Sequence, residues 1–207
     1  MIVEGIEGRK STLSVFLDLS KAFDCVDHRT LIHKLNRYGI RGVPLNWLKS
    51  YLSGRTEFVE ISGVRSGERK LSFGVPQGSI LSPLLFLIYV NDVGSSVRQG
   101  QLVQYADDTT LCFNENSMSE LEKVAFIELN SSIQHFNELN LKTNPEKSTF
   151  IQFRLRETAE NHSPTVMLDE TEIEEVHSAK FLGIHLDRGL TWSCHVDSVC
   201  SKLASGI

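Results

Sequence analysis

No apolar run in this chain is long enough to cross a bilayer. The longest, residues 84–90, falls far short of the roughly 20 residues a spanning helix needs. Glu4 and Glu7 beside Met1, with no apolar run after them, are unlike a signal peptide. Cysteine is sparse. Cys25, Cys112, Cys194 and Cys200 share no short paired spacing, which argues against a disulfide framework or an ordinary zinc pattern and fits reduced thiols inside a cell. Positive charge is also short: 21 Lys and Arg against 26 Asp and Glu leave a formal charge of −5. A strong nonspecific grip on phosphate backbone is therefore not written into the composition as a whole. A local supply exists in Lys34, Arg37, Arg41, Lys49, Arg55, Arg65, Arg69 and Lys70, readable either as a strand-binding surface or as a solvated face.

What the chain does have is enough apolar residues, 41% of 207, to bury a sizeable core in a single domain. It also has two clusters of carboxylates. Asp107 and Asp108 stand in Gln104-Tyr105-Ala106-Asp107-Asp108-Thr109-Thr110, between strand-like Leu102-Val103 and Leu111-Cys112-Phe113, which predicts a hairpin with the pair at its turn. At roughly 5 Å and an effective dielectric near 20, two such charges repel by about 3 kcal/mol. Turns host Asp readily, so the pair alone is equally a solvated turn. Upstream, the apolar run 13–17 predicts a strand buried on both faces, closed by Asp18. A carboxylate at the edge of a buried strand needs a partner or a cation, although Asp18 could instead cap a following helix. If the two strands are neighbours, three carboxylates converge, and hard cations with oxygen ligands compensate them.

Between the clusters lies Phe73-Gly74-Val75-Pro76-Gln77-Gly78-Ser79-Ile80-Leu81-Ser82-Pro83, a stiff loop whose glycines let backbone approach a ligand. It runs into an apolar stretch predicted as a buried helix from Pro83 to residue 90.

Together these segments resemble a family. Phe16-Leu17-Asp18-Leu19-Ser20-Lys21-Ala22-Phe23-Asp24, Gly74-Val75-Pro76-Gln77-Gly78-Ser79 and Tyr105-Ala106-Asp107-Asp108 look like motifs A, B and C of reverse transcriptases, in the wording of non-LTR (LINE-type) retrotransposons. Leu141-Lys142-Thr143-Asn144-Pro145-Glu146-Lys147-Ser148 resembles motif D, and Lys180-Phe181-Leu182-Gly183-Ile184 resembles motif E. The resemblance implies an RNA-directed DNA polymerase. It would act by two-metal attack of a primer 3′-hydroxyl on the α-phosphate of a dNTP. Asp18 and Asp107 would hold two Mg²⁺ ions (Mn²⁺ a possible substitute), with the Leu19 carbonyl as a further ligand and Asp108 as their partner. Lys21 and Ala22 amides would meet the triphosphate. Phe23 would be a steric gate against ribose, although it is equally readable as a core aromatic. Gln77 and Gly78 would line the nascent pair, Lys147 would be the general acid or else a solvated loop lysine, and Phe181, Leu182 and Gly183 would grip the primer. Expected partners are RNA template, DNA primer and dNTPs, with no membrane, in cytoplasm and nucleus.

The implied fold is an α+β polymerase palm, mainly antiparallel sheet with helices packed on one face, carrying a partial fingers insertion. Residues 1–27 and 81–190 would be palm, 28–80 fingers and 191–207 the start of a thumb connection, all in one truncated reverse transcriptase domain. Fingers and endonuclease segments upstream and a thumb downstream would belong to a longer polyprotein. The alternative is a retroelement relic, a folded palm without activity of its own that serves as a binding or scaffold module. Patterning predicts helices over 29–38 and 44–52, and a hairpin of 58–61 and 69–73 around a 62–68 turn. It further predicts a long helix over 119–140, strands over 148–153, 166–168 and 181–186, a loop over 154–164 and a helix over 192–204.

Overall fold

The computed structural model describes residues 1–154 and 163–205. In chain order its main elements are α1 (Ile2–Glu7), β1 (Ser11–Leu17), α2 (His28–Arg37), α3 (Gly42–Leu52) and α4 (Ser82–Val90). Then come β2 (Gln101–Tyr105), β3 (Asp108–Glu115), α5 (Met118–Glu138), β4 (Thr149–Phe153), β5 (Glu174–Glu175), β6 (Ser178–Phe181), β7 (Ile184–Asp187) and α6 (Ser193–Ser205). The chain divides into two compact units: Met1–Ser20, Val93–His135 and Lys142–Ile207 form one, Lys21–Asp92 and Phe136–Leu141 the other.

The first unit is built on a five-stranded sheet of order β5-β4-β1-β3-β2. All neighbours are antiparallel except β4 and β5. β1 is central, so both of its faces are covered: Leu13 and Val15 are fully buried and Leu17 nearly so. On the other face Thr12 and Ser14 are equally buried, and Ser14 Oγ lies 3.0 Å from Cys112 Sγ. Burial pushes that thiol's pKa up, and the Ser14 hydrogen bond opposes the shift. Helices were expected on one face only. The structure puts them on both. α5 buries Leu121, Ala125, Leu129 and Ile133, and Gln152 Nε2 donates to Met118 Sδ at 3.6 Å on the Leu13 face. α1, six residues too short for periodicity to reveal, lies over Thr12 and Asn114 on the opposite face. It can do so because Gly5 has no side chain: a Cβ there would stand 2.4 Å from Thr12 Oγ1.

In the second unit Asp27 caps α2, accepting from the Thr30 amide at 2.7 Å and its hydroxyl at 2.8 Å. α4 is apolar nearly all round and buries Leu85, Phe86, Tyr89 and Val90. Tyr89 is fully buried, yet its hydroxyl is used twice. It donates to the Leu139 carbonyl at 2.6 Å and accepts from the Asp27 amide at 3.1 Å. Lys34 is buried as well. Burial lowers its pKa, and Asp92, 2.6 Å away, partly restores it.

Two further expectations are corrected. The 58–73 hairpin is instead two short ladders, Thr56–Glu57 with Arg69–Lys70 and Glu60–Ile61 with Val64–Arg65. Its turn is Ser62-Gly63, both at positive φ as a tight hairpin demands, rather than 62–68. The strand expected over 181–186 is likewise a hairpin, β6–β7, turning at Leu182 (φ 47°) and Gly183 (φ 88°). Buried Asp187 closes it: burial raises its pKa, but bonds from Thr191 N–H and hydroxyl and from the Trp192 and Gly189 amides outweigh this and leave it lowered. The loop expected over 154–164 lies largely outside the described residues. No helix among the described residues is long and apolar enough to cross a membrane.

Candidate active site

The last registered pair between β1 and β3 is Leu17 with Thr109. Asp18 and Asp108 are the next residues on each strand, so the two carboxylates end adjacent strands. β2 and β3 close on Tyr105 paired with Asp108, which leaves Ala106-Asp107 as a two-residue turn. Ala106 is held at φ 54°, a conformation an L side chain adopts only at a cost of about 1 kcal/mol. Such strain persists where surrounding structure imposes it, and it clusters at functional sites. Asp18 is half-buried, while Asp107 and Asp108 are exposed. The side chains are not packed into a cage: among the described residues no three His, Cys, Asp or Glu form a group that could hold a metal.

The Asp18 backbone, in contrast, is clamped. Its amide donates to Ser148 Oγ at 3.1 Å, and its carbonyl accepts from the Asn144 amide at 2.8 Å. Ser148 Oγ donates on to the Asn144 carbonyl at 2.8 Å, closing a ring through the 144–148 turn. Leu19–Ser20 continues the attachment by pairing with Lys142–Thr143. Reading the sequence for acids and bases missed Ser148, though the Asn-Pro-Glu-Lys-Ser turn was the visible signal. Ser148 is 1% exposed, so Ser148→Ala strands the Asp18 amide without a partner. The expected cost is about 1–3 kcal/mol in a urea titration, and Ser148→Thr should recover most of it. An unchanged midpoint would show that the clamp contributes nothing. Lys147 is exposed in the same turn, its amide bonded to the Asn144 carbonyl at 3.2 Å. Phe181 packs edge-on against Phe16, ring centres 6.3 Å apart, two residues before Asp18.

In the second unit the chain continues from Lys21 (φ 48°) into a single turn of 3₁₀ helix, Ala22–Asp24. The glycine-rich loop is sewn to that turn. Gly74 N–H donates to Val26 O at 2.8 Å, Val75 N–H to Phe23 O at 2.9 Å, and Gln77 Nε2 to Asp24 Oδ1 at 2.9 Å. Gly74 has φ 84°, and a Cβ there would press on the Asp24 backbone at 3.1 Å. Phe23 is half-buried and stacks on Phe86, centroids 4.5 Å apart and planes 18° apart. A cavity of about 760 Å³ opens beside the turn, lined by Lys21, Asp24, His28, Arg55, Lys70 and Gln77 among others. Gly78, exposed at φ 81°, follows Gln77 in the loop. Sequence thus brings Lys21, Phe23 and Gln77 to one place, with His28 as a lining residue that sequence did not single out.

A sheet with carboxylates at the ends of its central strands, next to a strained two-residue turn, is the arrangement of a nucleic-acid polymerase palm. Residues 4–186 match the reverse transcriptase (RNA-dependent DNA polymerase) family, and the chain belongs to that family. Within it the similarity is to the LINE-type branch that the motif wording indicates. The chain is 31% identical, over its whole length, to the probable RNA-directed DNA polymerase from transposon X-element of Drosophila melanogaster. It is 30% identical, over 95% of its length, to the RNA-directed DNA polymerase from mobile element jockey of the same organism. It spans about a quarter of the length of these relatives, 23% and 22%. Among solved structures, apo telomerase from Candida tropicalis superposes with a TM-score of 0.61 at 13% identity, over 91% of this chain and 33% of that one, a likeness of fold.

Proposed function

We propose that this chain carries the catalytic core of an RNA-directed DNA polymerase, joining dNTPs to a primer 3′-hydroxyl on an RNA template. The observation that supports this most is the β1–β3 register, which ends two neighbouring strands in Asp18 and Asp108 with Asp107 in the adjoining turn. The family works with divalent metal ions, and hard carboxylate oxygens suit Mg²⁺. Asp18 and Asp107 would hold two such ions, with the Leu19 carbonyl and Asp108 completing the oxygen donors; Mn²⁺ would substitute. When bound, the ions lower the pKa of the attacking hydroxyl and neutralise charge gathering on the phosphate.

The protein's own part is positioning. The 144–148 turn fixes the Asp18 backbone, and Lys147 on that turn would give a proton to the departing pyrophosphate. Amides of Lys21 and Ala22, at the positive-φ entry to the 3₁₀ turn, would form an anion nest for the triphosphate. Gln77 and Gly78 would face the nascent base pair, and Phe181, Leu182 and Gly183 would hold the primer. Residues 28–80, all within the second unit, would act as the fingers portion, with 1–27 and 81–190 as palm and 191–207 leading toward a thumb. The test is primer extension on an RNA template with dNTPs and Mg²⁺. Mg²⁺-dependent extension is the expected result; none from folded protein would count against the reading.

Phe23 would exclude a ribose 2′-hydroxyl. Phe23→Ala is therefore expected to weaken discrimination against rNTPs by about tenfold or more, measured as the ratio of kcat/KM for dNTP and rNTP. An unchanged ratio in an active variant would leave Phe23 as the stacking partner of Phe86 and nothing more.

A further inference from the structure

We propose that the outer face of α3 docks a single-stranded nucleic acid, with a base stacked on Trp47 and phosphates neutralised by the cations of the surrounding segment. The proposal extends the nucleic-acid reading above to residues which that reading leaves unused, and its test requires no polymerisation.

Three observations carry it. The first is charge. In a chain of net −5, residues 28–56 contain Arg29, Lys34, Arg37, Arg41, Lys49 and Arg55 and not one Asp or Glu. Lys34 is committed to Asp92, but Arg37, Arg41, Lys49 and Arg55 are exposed and form no salt bridge among the described residues. Unpaired cations of one sign attract a polyanion and release its counterions.

The second is the helix itself. α3 buries Leu45 and Leu52, which settles its core side. A surface helix normally turns polar residues outward, yet here Val43 is 82% exposed and Trp47 57% exposed on the opposite side.

The third is geometry. Trp47 and Tyr51, one turn apart, stack with centroids 5.8 Å apart and planes 13° apart. The Tyr51 hydroxyl donates to Ser79 Oγ at 2.8 Å, and Ser79 Oγ lies 2.8 Å from Ser82 Oγ. The inner ring is thereby fixed to the loop ahead of α4, and Trp47 lies on it with its outer surface open. A pre-ordered aromatic platform of this kind accepts any base, because every base has a π-face, and alanine substitution of such a ring costs about 1–3 kcal/mol per base. Arg41 precedes the helix and Arg55 follows it, at the two ends of an axis about 16 Å long at 1.5 Å per residue. A strand laid along α3 would meet a cation at each end and the ring between them.

The experiment is fluorescence anisotropy of a fluorescein-labelled single-stranded RNA of about twelve nucleotides, within the usual single-strand site sizes. Trp47→Ala is expected to weaken binding about five- to hundredfold, with Trp47→Phe retaining most of the affinity. Arg41→Gln and Lys49→Gln should each flatten the slope of log K on log salt by about 0.7. In a Trp192→Phe background, RNA should quench the remaining Trp47 emission. The assay contains no primer and no dNTP, so that loss of this surface is read separately from loss of polymerisation. Equal RNA affinity in the parent and Trp47→Ala, or emission unmoved by RNA, would overturn the proposal. So would self-association by sedimentation that Trp47→Ala abolishes while RNA affinity stays the same, which would make the face a protein interface.

Discussion

Asp107→Asn is expected to reduce RNA-templated primer extension by about a thousandfold or more. Each factor of ten is about 1.4 kcal/mol of barrier, and metal-based charge stabilisation supplies several kcal/mol. The substitution keeps the size of the side chain and its tolerance of a tight turn, so the Ala106-Asp107 turn should survive. That separates a chemical loss from a structural one. In a thermal melt without metal the variant and the parent should unfold together. With Mg²⁺ at ten times its dissociation constant, the parent should gain about 1.4 kcal/mol by mass action and the variant much less. Extension by Asp107→Asn at the parental rate would remove Asp107 from the chemistry. A Mg²⁺ response identical in both proteins would place the ion elsewhere.

The second large effect concerns stability. Tyr89→Phe deletes one oxygen and should cost about 2–4 kcal/mol, more than a single hydrogen bond ordinarily contributes. The reason is that the hydroxyl serves two backbone groups together. Without it the Asp27 amide and the Leu139 carbonyl both lose a partner, and an unsatisfied buried group costs about 1–3 kcal/mol. Burial raises the pKa of this tyrosine, with the bond from Asp27 opposing, so the group is a neutral phenol throughout the ordinary range and the effect should not vary between pH 6 and 9. Urea midpoints at both pH values check this. A loss below about 0.5 kcal/mol would mean that both backbone groups find other partners.

Much of this was legible in the sequence, for reasons that differ by element. β1 could be read because a central strand buried on both faces must be apolar, and the Asp107-Asp108 hairpin because alternation and turn chemistry agree there. α5 was legible from the spacing of Leu121, Ala125, Leu129 and Ile133. The two-residue turns at Ser62-Gly63 and Leu182-Gly183 were misread because Ser and Leu give no sign of the positive φ they adopt. α1 was missed because its attachment rests on an absent side chain, that of Gly5. The carboxylates and the glycine-rich loop announced themselves by residue type. The Ser148 clamp and the Gln77–Asp24 bond did not: they join backbone and amide groups of no special chemistry, and only the fold brings them within reach.

The central place of β1 also governs how the chain reaches its native state. The cross-strand neighbours of Ser14 are Cys112 and Ile151, made roughly 100 and 140 residues later. At about 5–20 residues per second, a ribosome needs roughly 7–28 seconds to supply the second of them. Through that interval the central strand of the sheet has both edges open. Contacts so distant in sequence close slowly, and exposed apolar strands associate with whatever else offers an edge. Chains interrupted before Phe153 should therefore aggregate rather than persist as soluble partial folds, and chaperone demand should fall sharply once β4 has emerged.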